Sequence, residues 1–317
     1  MKKTWYLIIG VVLLVIGCIA YGYHEHHKPK TAQELKTVRV AYLPITHALP
    51  VFATKELETA DGPVHVELVK YGSWPELMDA LNTGKVDAAS VLVELGVKAR
   101  EQGIDVRAAA LGHTEGNIII VNKDINSVQD LKGKSFAIPH KQSTQKILVD
   151  CMLEQAGLSE KDVQIVEMSP PEMPSALSVG QIAGYSVAEP FGSLALEMGT
   201  GKVFEDPDHL WHDNICCALV FNGQFVDEHH DLAKAFTKAY LDAGTYLDEH
   251  PKAQEEISSK YMKFNDSVIE RSLKVIGFKD LALTEDRYNA LVHHMTHIDL
   301  IKKVPSYSEF VDTSLLP

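Results

Sequence analysis

ALNTGKVDAASV at residues 80–91 and ALSVGQIAGYSV at residues 176–187 align without a gap at an offset of 96, the likeness lying in 80–86 and 90–91. Ala80-Leu81 aligns with Ala176-Leu177, Gly84 with Gly180, Val86 with Ile182, and Ser90-Val91 with Ser186-Val187. Each copy reads as a helix end, a glycine at the position just past it, and a strand. The repeat predicts two lobes of like build. In open α/β sheets ligands bind beyond the carboxyl ends of the strands, so Ser90 and Ser186 are expected at corresponding strand ends, facing each other across a cleft.

Outward from the first copy, residues 38–43, 64–69, 86–92 and 106–111 are short β-branched runs, with helical patterns over 48–57, 74–83 and 93–102 between them. That alternation predicts βαβ units and a parallel sheet. Residues 117–122 read as a connecting strand, and the alternation restarts with strands at 135–138, 163–167 and 184–187 around helices at 143–156 and 171–179. The apolar run 215–222 returns the chain to the first lobe, and only helices are expected after it. The predicted organisation is α/β with mostly parallel sheets, hinge strands at 117–122 and 215–222, and a helical C-terminal part. Lobe one is residues 37–122 and 215–317, and lobe two is 123–214.

The N-terminus addresses the chain to a membrane. Lys2 and Lys3 precede an uncharged apolar run at 5–17, and Val15-Ile16-Gly17-Cys18 resembles a lipobox. The expectation is a signal peptide at 1–17, lipidation of Cys18, and a polar tether at 18–36 containing His24, His26 and His27. An uncleaved anchor is the alternative, because residues 5–23 approach the roughly 20 residues a spanning helix needs. Either way the remainder lies on the outer face. The formal charge of −13 without a basic stripe argues against nucleic acid. Cys151, Cys216 and Cys217 lie in helical or apolar patterns and read as buried thiols. A cysteine-type metal site would need spaced pairs, so no metal and no cofactor are expected.

VAYLPITHALPV at 40–51, Trp74-Pro75-Glu76-Leu77, Gly84-Lys85-Val86-Asp87-Ala88, Leu131-Lys132-Gly133-Lys134 and Ala188-Glu189-Pro190-Phe191 together resemble the nitrate, sulfonate, taurine and bicarbonate-type solute-binding proteins. These are relatives of the pyrimidine synthases of thiamine biosynthesis. The resemblance runs over most of 38–230. It implies a two-lobe fold like that of the type II periplasmic binding proteins, a monomer that closes on a small organic or anionic solute and docks on a membrane permease driven by an ATPase. It also implies that Gln142, Ser143 and Thr144 stand at the turn that contacts ligand in the family, although the family's common glycine is absent here. An enzyme is not expected: the cysteine-rich segment of the pyrimidine synthases and a GxSxG elbow are both missing. A sensor feeding a membrane kinase is the other alternative.

The remaining site candidates come from strand-end loops. Thr46 and His47 lead into a helix whose free N–H groups attract negative charge, with a supporting role as the alternative for His47. Trp74 follows the N-cap Ser73 and either stacks on a flat ligand or packs on the sheet. Gly112 and Gly116 flank His113 and Glu115 and permit an unusual backbone path. Glu189 either overhangs the cleft to meet an amine or interacts with the start of its own helix. His47, His113, His140, Glu115 and Glu189 come from separate loops, and nothing in their spacing requires them to converge on a metal.

Overall fold

The computed structural model describes residues 36–317; the expected signal peptide, Cys18 and nearly all of the tether lie outside them. The first apolar runs form β1 (Thr37–Tyr42), β2 (His65–Lys70), β3 (Ala88–Leu92) and β4 (Val106–Leu111), separated by α1 (Leu49–Leu57), α2 (Trp74–Asn82) and α3 (Val93–Glu101). After the two-residue β5 (Thr114–Glu115) come β6 (Asn117–Asn122), β7 (Ser135–Ile138), α4 (Thr144–Gln155), β8 (Gln164–Glu167), α5 (Met173–Ser178), β9 (Gly184–Ala188), α6 (Phe191–Glu197), β10 (Gly201–Glu205) and α7 (Pro207–Leu210). The chain then forms β11 (Cys217–Asn222), α8 (Gly223–Glu228), α9 (His230–Glu249), α10 (Pro251–Tyr261), α11 (Asp266–Leu273), β12 (Ile276–Gly277), α12 (Glu285–His297) and α13 (Tyr307–Phe310).

Two five-stranded sheets share one topology. Their orders are β2-β1-β3-β11-β4 and, read in the matching direction, β8-β7-β9-β6-β10. In each, the third strand pairs in parallel with the second and antiparallel with the fourth, which comes from the far side of a crossover. The internal repeat falls on β3 and β9. Ser90 sits opposite Leu219, and Ser186 opposite Ile119, each serine being the middle residue of its strand. The serines therefore correspond as expected, but in mid-strand rather than at strand ends.

The two expected hinge strands are inner strands. β6 lies between β10 and β9, and β11 between β3 and β4. Their strands, NIIIVN and CALVFN, apolar except for the asparagines at their ends, are buried almost throughout, and a strand buried on both faces must satisfy its backbone on both edges. The chain instead crosses between the sheets at 112–116 and 206–216. A second difference is β12, which pairs with β5 where only helices were expected; two residues are too few to show a strand period.

The C-terminal part buttresses the first sheet. α9 buries Ala233, Phe236, Tyr240, Ala243 and Leu247, spaced three and four apart, and packs on α1. The Tyr240 hydroxyl donates to the Leu111 carbonyl at 3.2 Å, and Val311 bridges Ala108 on the edge strand β4. Gly112 is a close approach: a Cβ there would lie 2.9 Å from the His47 carbonyl oxygen. Gly112→Ala is expected to destabilise the protein by about 1–3 kcal/mol, read from urea unfolding; an unchanged midpoint would show that the first crossover is not packed this tightly.

Candidate functional site

Because β11 runs antiparallel between β3 and β4, its beginning lies beside their ends. Cys217 pairs with Leu92 and Ala218 with Leu111. The Cys216 carbonyl accepts from the Val93 N–H and the Cys217 carbonyl from the Gly112 N–H, each at 2.8 Å. Residues just beyond these points must converge. They are Glu94 in the first turn of α3, His113 in the first crossover, and Cys216 and Cys217. His47 joins them from a short 3-10 turn (Thr46–Ala48) after β1.

The ligand-type atoms of His47, His113, Cys216 and Cys217 all lie within 4.8 Å of one another, and all four residues are buried. The two Sγ atoms are 3.9 Å apart, His47 Nδ1 is 3.5 Å from Cys217 Sγ, and the imidazole centroids are 3.6 Å apart. His47 Nε2 is 2.9 Å from the Gly116 carbonyl. A carbonyl only accepts, so Nε2 carries the hydrogen and Nδ1 presents its lone pair to the cluster. His113 Nε2 accepts from the Cys217 N–H at 3.3 Å, and its Nδ1 has no hydrogen-bond partner.

Burial dominates the electrostatics. It lowers the His113 imidazole to about 4, with His47 adding to the effect. It raises Glu94 well above the carboxylate range, reinforced by Cys216. Burial alone would raise the Cys216 thiol, but the hydrogen bond with Cys217 and the two imidazoles outweigh it and hold Cys216 well below the usual thiol range. Cys217 is pushed up by burial and by Cys216.

A polar shell ties the cluster to the second sheet's helices. Gln145 Nε2 reaches Cys216 Sγ at 3.4 Å and Asn117 Oδ1 at 2.7 Å. Asn117 Nδ2 donates to Asn214 Oδ1 at 3.1 Å, and Asn214 donates to the Trp211 carbonyl at 3.2 Å. Thr144 Oγ1 lies within hydrogen-bond reach of both Glu94 Oε1 and the Ile215 carbonyl. One hydroxyl has one hydrogen. A protonated Glu94 resolves the conflict by donating to Thr144, which then donates to Ile215. Thr46 closes the seam, its N–H and Oγ1 donating to the Glu189 carbonyl at 3.0 and 2.9 Å.

Several sequence candidates lie elsewhere. Trp74 is 3% exposed in the hydrophobic core, the packing role rather than the stacking one, because the first turn of α2 faces the sheet. Glu189 turns its carboxylate back onto α6, where Ser193 N and Oγ donate at 2.8 and 2.9 Å, so it does not overhang a cleft. Ser143 caps α4, accepting from Lys146 N and donating to the His140 carbonyl, and Gln142 is half-buried with its N–H on His140 Nδ1. Glu115 is exposed, with φ 58°, and lines a cavity of about 470 Å³ with Asp206, Asp208 and Lys274. Ser90 and Ser186 are buried with hydroxyls lacking partners, and neither lines that cavity. Of the loose set His47, His113, His140, Glu115 and Glu189, the cluster takes only the first two. The spaced-pair criterion for cysteine ligands missed Cys216 and Cys217, and Glu94, Gln145, Asn117 and Asn214 were also missed. The adjacent thiols opening an apolar strand, with histidines in earlier strand-end loops, were the available signal.

Glu94 generates a pH prediction. Its folded-state pKa is raised, so its stabilising effect is present below its unfolded value near ~4.3 and is lost as pH rises toward the folded value. In metal-free protein, Glu94→Gln should match wild type near pH 4 and exceed it progressively toward pH 8. The gap is about 1.4 kcal/mol per unit separating the folded and unfolded values. Parallel stability curves would contradict a buried neutral Glu94.

The NMT1-like family model matches residues 31–261. A Bacillus subtilis (strain 168) protein named as a binder of aliphatic sulfonates is 29% identical over 285 residues, covering 86% of this chain and 82% of its own. The nitrate import ATP-binding protein NrtC of Synechocystis sp. is 25% identical over 239 residues; the match takes in 68% of this chain but only 36% of the longer NrtC. Among solved structures, the ligand-binding component of an ABC-type import system from Staphylococcus aureus, with zinc bound, is 36% identical with a TM-score of 0.84, covering 88% of this chain and 97% of that one. This chain belongs to the NMT1-like family.

Proposed function

We propose that the chain is the extracytoplasmic solute-binding component of an ABC importer, tethered through lipid on Cys18 and delivering a small solute to a membrane permease. The observation that carries this reading is the seam between the two sheets' loops: Thr46 on Glu189, Glu94 with Thr144, and Cys216 with Gln145. Contacts of this kind form only when the halves are together, so a solute that strengthens them shifts the population toward closure. The crossovers at 112–116 and 206–216 serve as hinges, which moves residues 117–122 into lobe two.

The solutes named for the relatives point in two directions. Nitrate and aliphatic sulfonates are anions, whereas the Staphylococcus aureus neighbour carries zinc. A buried anion needs a cation or several N–H donors. Lys146 is the only buried Lys or Arg among the described residues, and it is already paired with Asp150 and Glu160. The seam presents imidazoles, thiols and the Glu94 carboxyl instead, which favours a cation over an oxyanion.

The test is cellular. In the native host, Cys18→Ala should move the protein from the membrane fraction to the medium and reduce solute uptake to the level of a deletion strain. Retention in the membrane would indicate an uncleaved anchor, and undiminished uptake in the deletion strain would refute the importer role.

A further inference from the structure

We propose that the solute is a borderline-to-soft metal ion, zinc in the first instance, held by His47, His113, Cys216 and Cys217. This rests on the importer reading and names its cargo. The donors already stand near the edges of a coordination tetrahedron. With Zn–S about 2.3 Å and Zn–N about 2.0–2.1 Å, a regular tetrahedron has S···S edges of about 3.8 Å and S···N edges of about 3.6 Å. The observed Cys216–Cys217 separation is 3.9 Å and the His47–Cys217 separation 3.5 Å; all remaining donor pairs fall within 4.8 Å.

The surroundings prepare these atoms as ligands. The Gly116 carbonyl fixes the His47 tautomer that leaves Nδ1 free, the outer-shell arrangement that orients metal-bound imidazoles. The Gln145 amide N–H points at Cys216 Sγ, where it favours a thiolate. His113 Nε2 turns its lone pair toward the Cys217 N–H at a long 3.3 Å, which places the proton on Nδ1 and makes Nε2 the nitrogen able to ligate. Two thiolates and two neutral imidazoles around a divalent ion sum to zero charge, which an interior tolerates. Oxygen-seeking calcium and magnesium are poorly matched, because soft thiolates select zinc or copper(I). An oxyanion would instead stack negative charge on the thiols.

The neighbouring thiols meet because they sit at a boundary. Successive residues on a regular strand point to opposite faces, but Cys216 precedes β11 and belongs to the crossover, so its side chain turns to the same side as Cys217. The metal would therefore bridge the first loop of the first sheet and both crossovers. These are the segments that must be fixed for the halves to stay together.

The experiment uses the full chain, stripped with chelator and titrated with zinc alone against a chromophoric competitor. One ion per chain is expected. Cys216→Ser with Cys217→Ser, and separately His113→Gln, should weaken binding by about 100-fold or more, and Gln145→Leu by roughly 10-fold. Cobalt(II) in the unaltered chain should give tetrahedral d–d bands and a thiolate-to-cobalt charge-transfer band, a readout that needs no variant to fold. Full zinc affinity in a folded double serine variant, or octahedral cobalt in the wild type, would overturn the site. Tight binding of nitrate or taurine with no uptake of zinc would overturn the metal cargo and leave the importer standing. Zinc bound as described, with zinc accumulation unchanged in a deletion strain, would leave the site and refute the importer.

Discussion

The return of β11 between β3 and β4 is the constraint on which the rest depends. Two parallel strands end at one edge of the first sheet, and an antiparallel strand between them must begin at that edge. Side chains distant in sequence are thereby gathered without any loop having to reach for them. Glu94 follows β3, His113 follows β4, Cys216 and Cys217 open β11, and His47 follows β1. Because β6 performs the same exchange in the second sheet, the molecule is two copies of one layout, each completed by a strand from beyond a crossover.

This layout explains why the cluster sits where motion would be controlled. Gly112 and Gly116 bracket His113, and each lies against His47: its carbonyl at the first and its ring at the second, where φ is +82°. The first crossover is thus pressed onto the loop that follows β1. Gln145, Asn117 and Asn214 then carry the contact from Cys216 to α4, β6 and the second crossover. A group bound by the cluster would stiffen the loop and both crossovers together, coupling occupancy to closure through contiguous hydrogen bonds.

The fold was legible because it rests on periodicity and repetition. The βα alternation, the offset of 96 and the apolar runs at 117–122 and 215–222 are local signals, and local signals survive in sequence. The site was legible only in part. Thr46, His47, His113 and Thr144 were singled out because strand-end loops are where an α/β fold presents polar groups, and the structure brings them together at the seam. Cys216 and Cys217 were passed over because an adjacent pair inside an apolar run looks like core, and their convergence with histidines depends on register. Glu189 and Trp74 were misread for the converse reason. Their positions suggested a cleft, but Ser193 captures the carboxylate and the sheet captures the indole.

The central claim is that four side chains from three segments enclose one ion. Its most direct test is a crystal structure of the zinc-loaded full chain with anomalous data on both sides of the zinc absorption edge. The account predicts a single strong peak bounded by His47 Nδ1, a His113 nitrogen and the two sulfurs, at about 2.0–2.3 Å from each. A peak confined to surface groups such as Asp208 and His212, or an organic molecule filling the seam with the thiols uncoordinated, would contradict it.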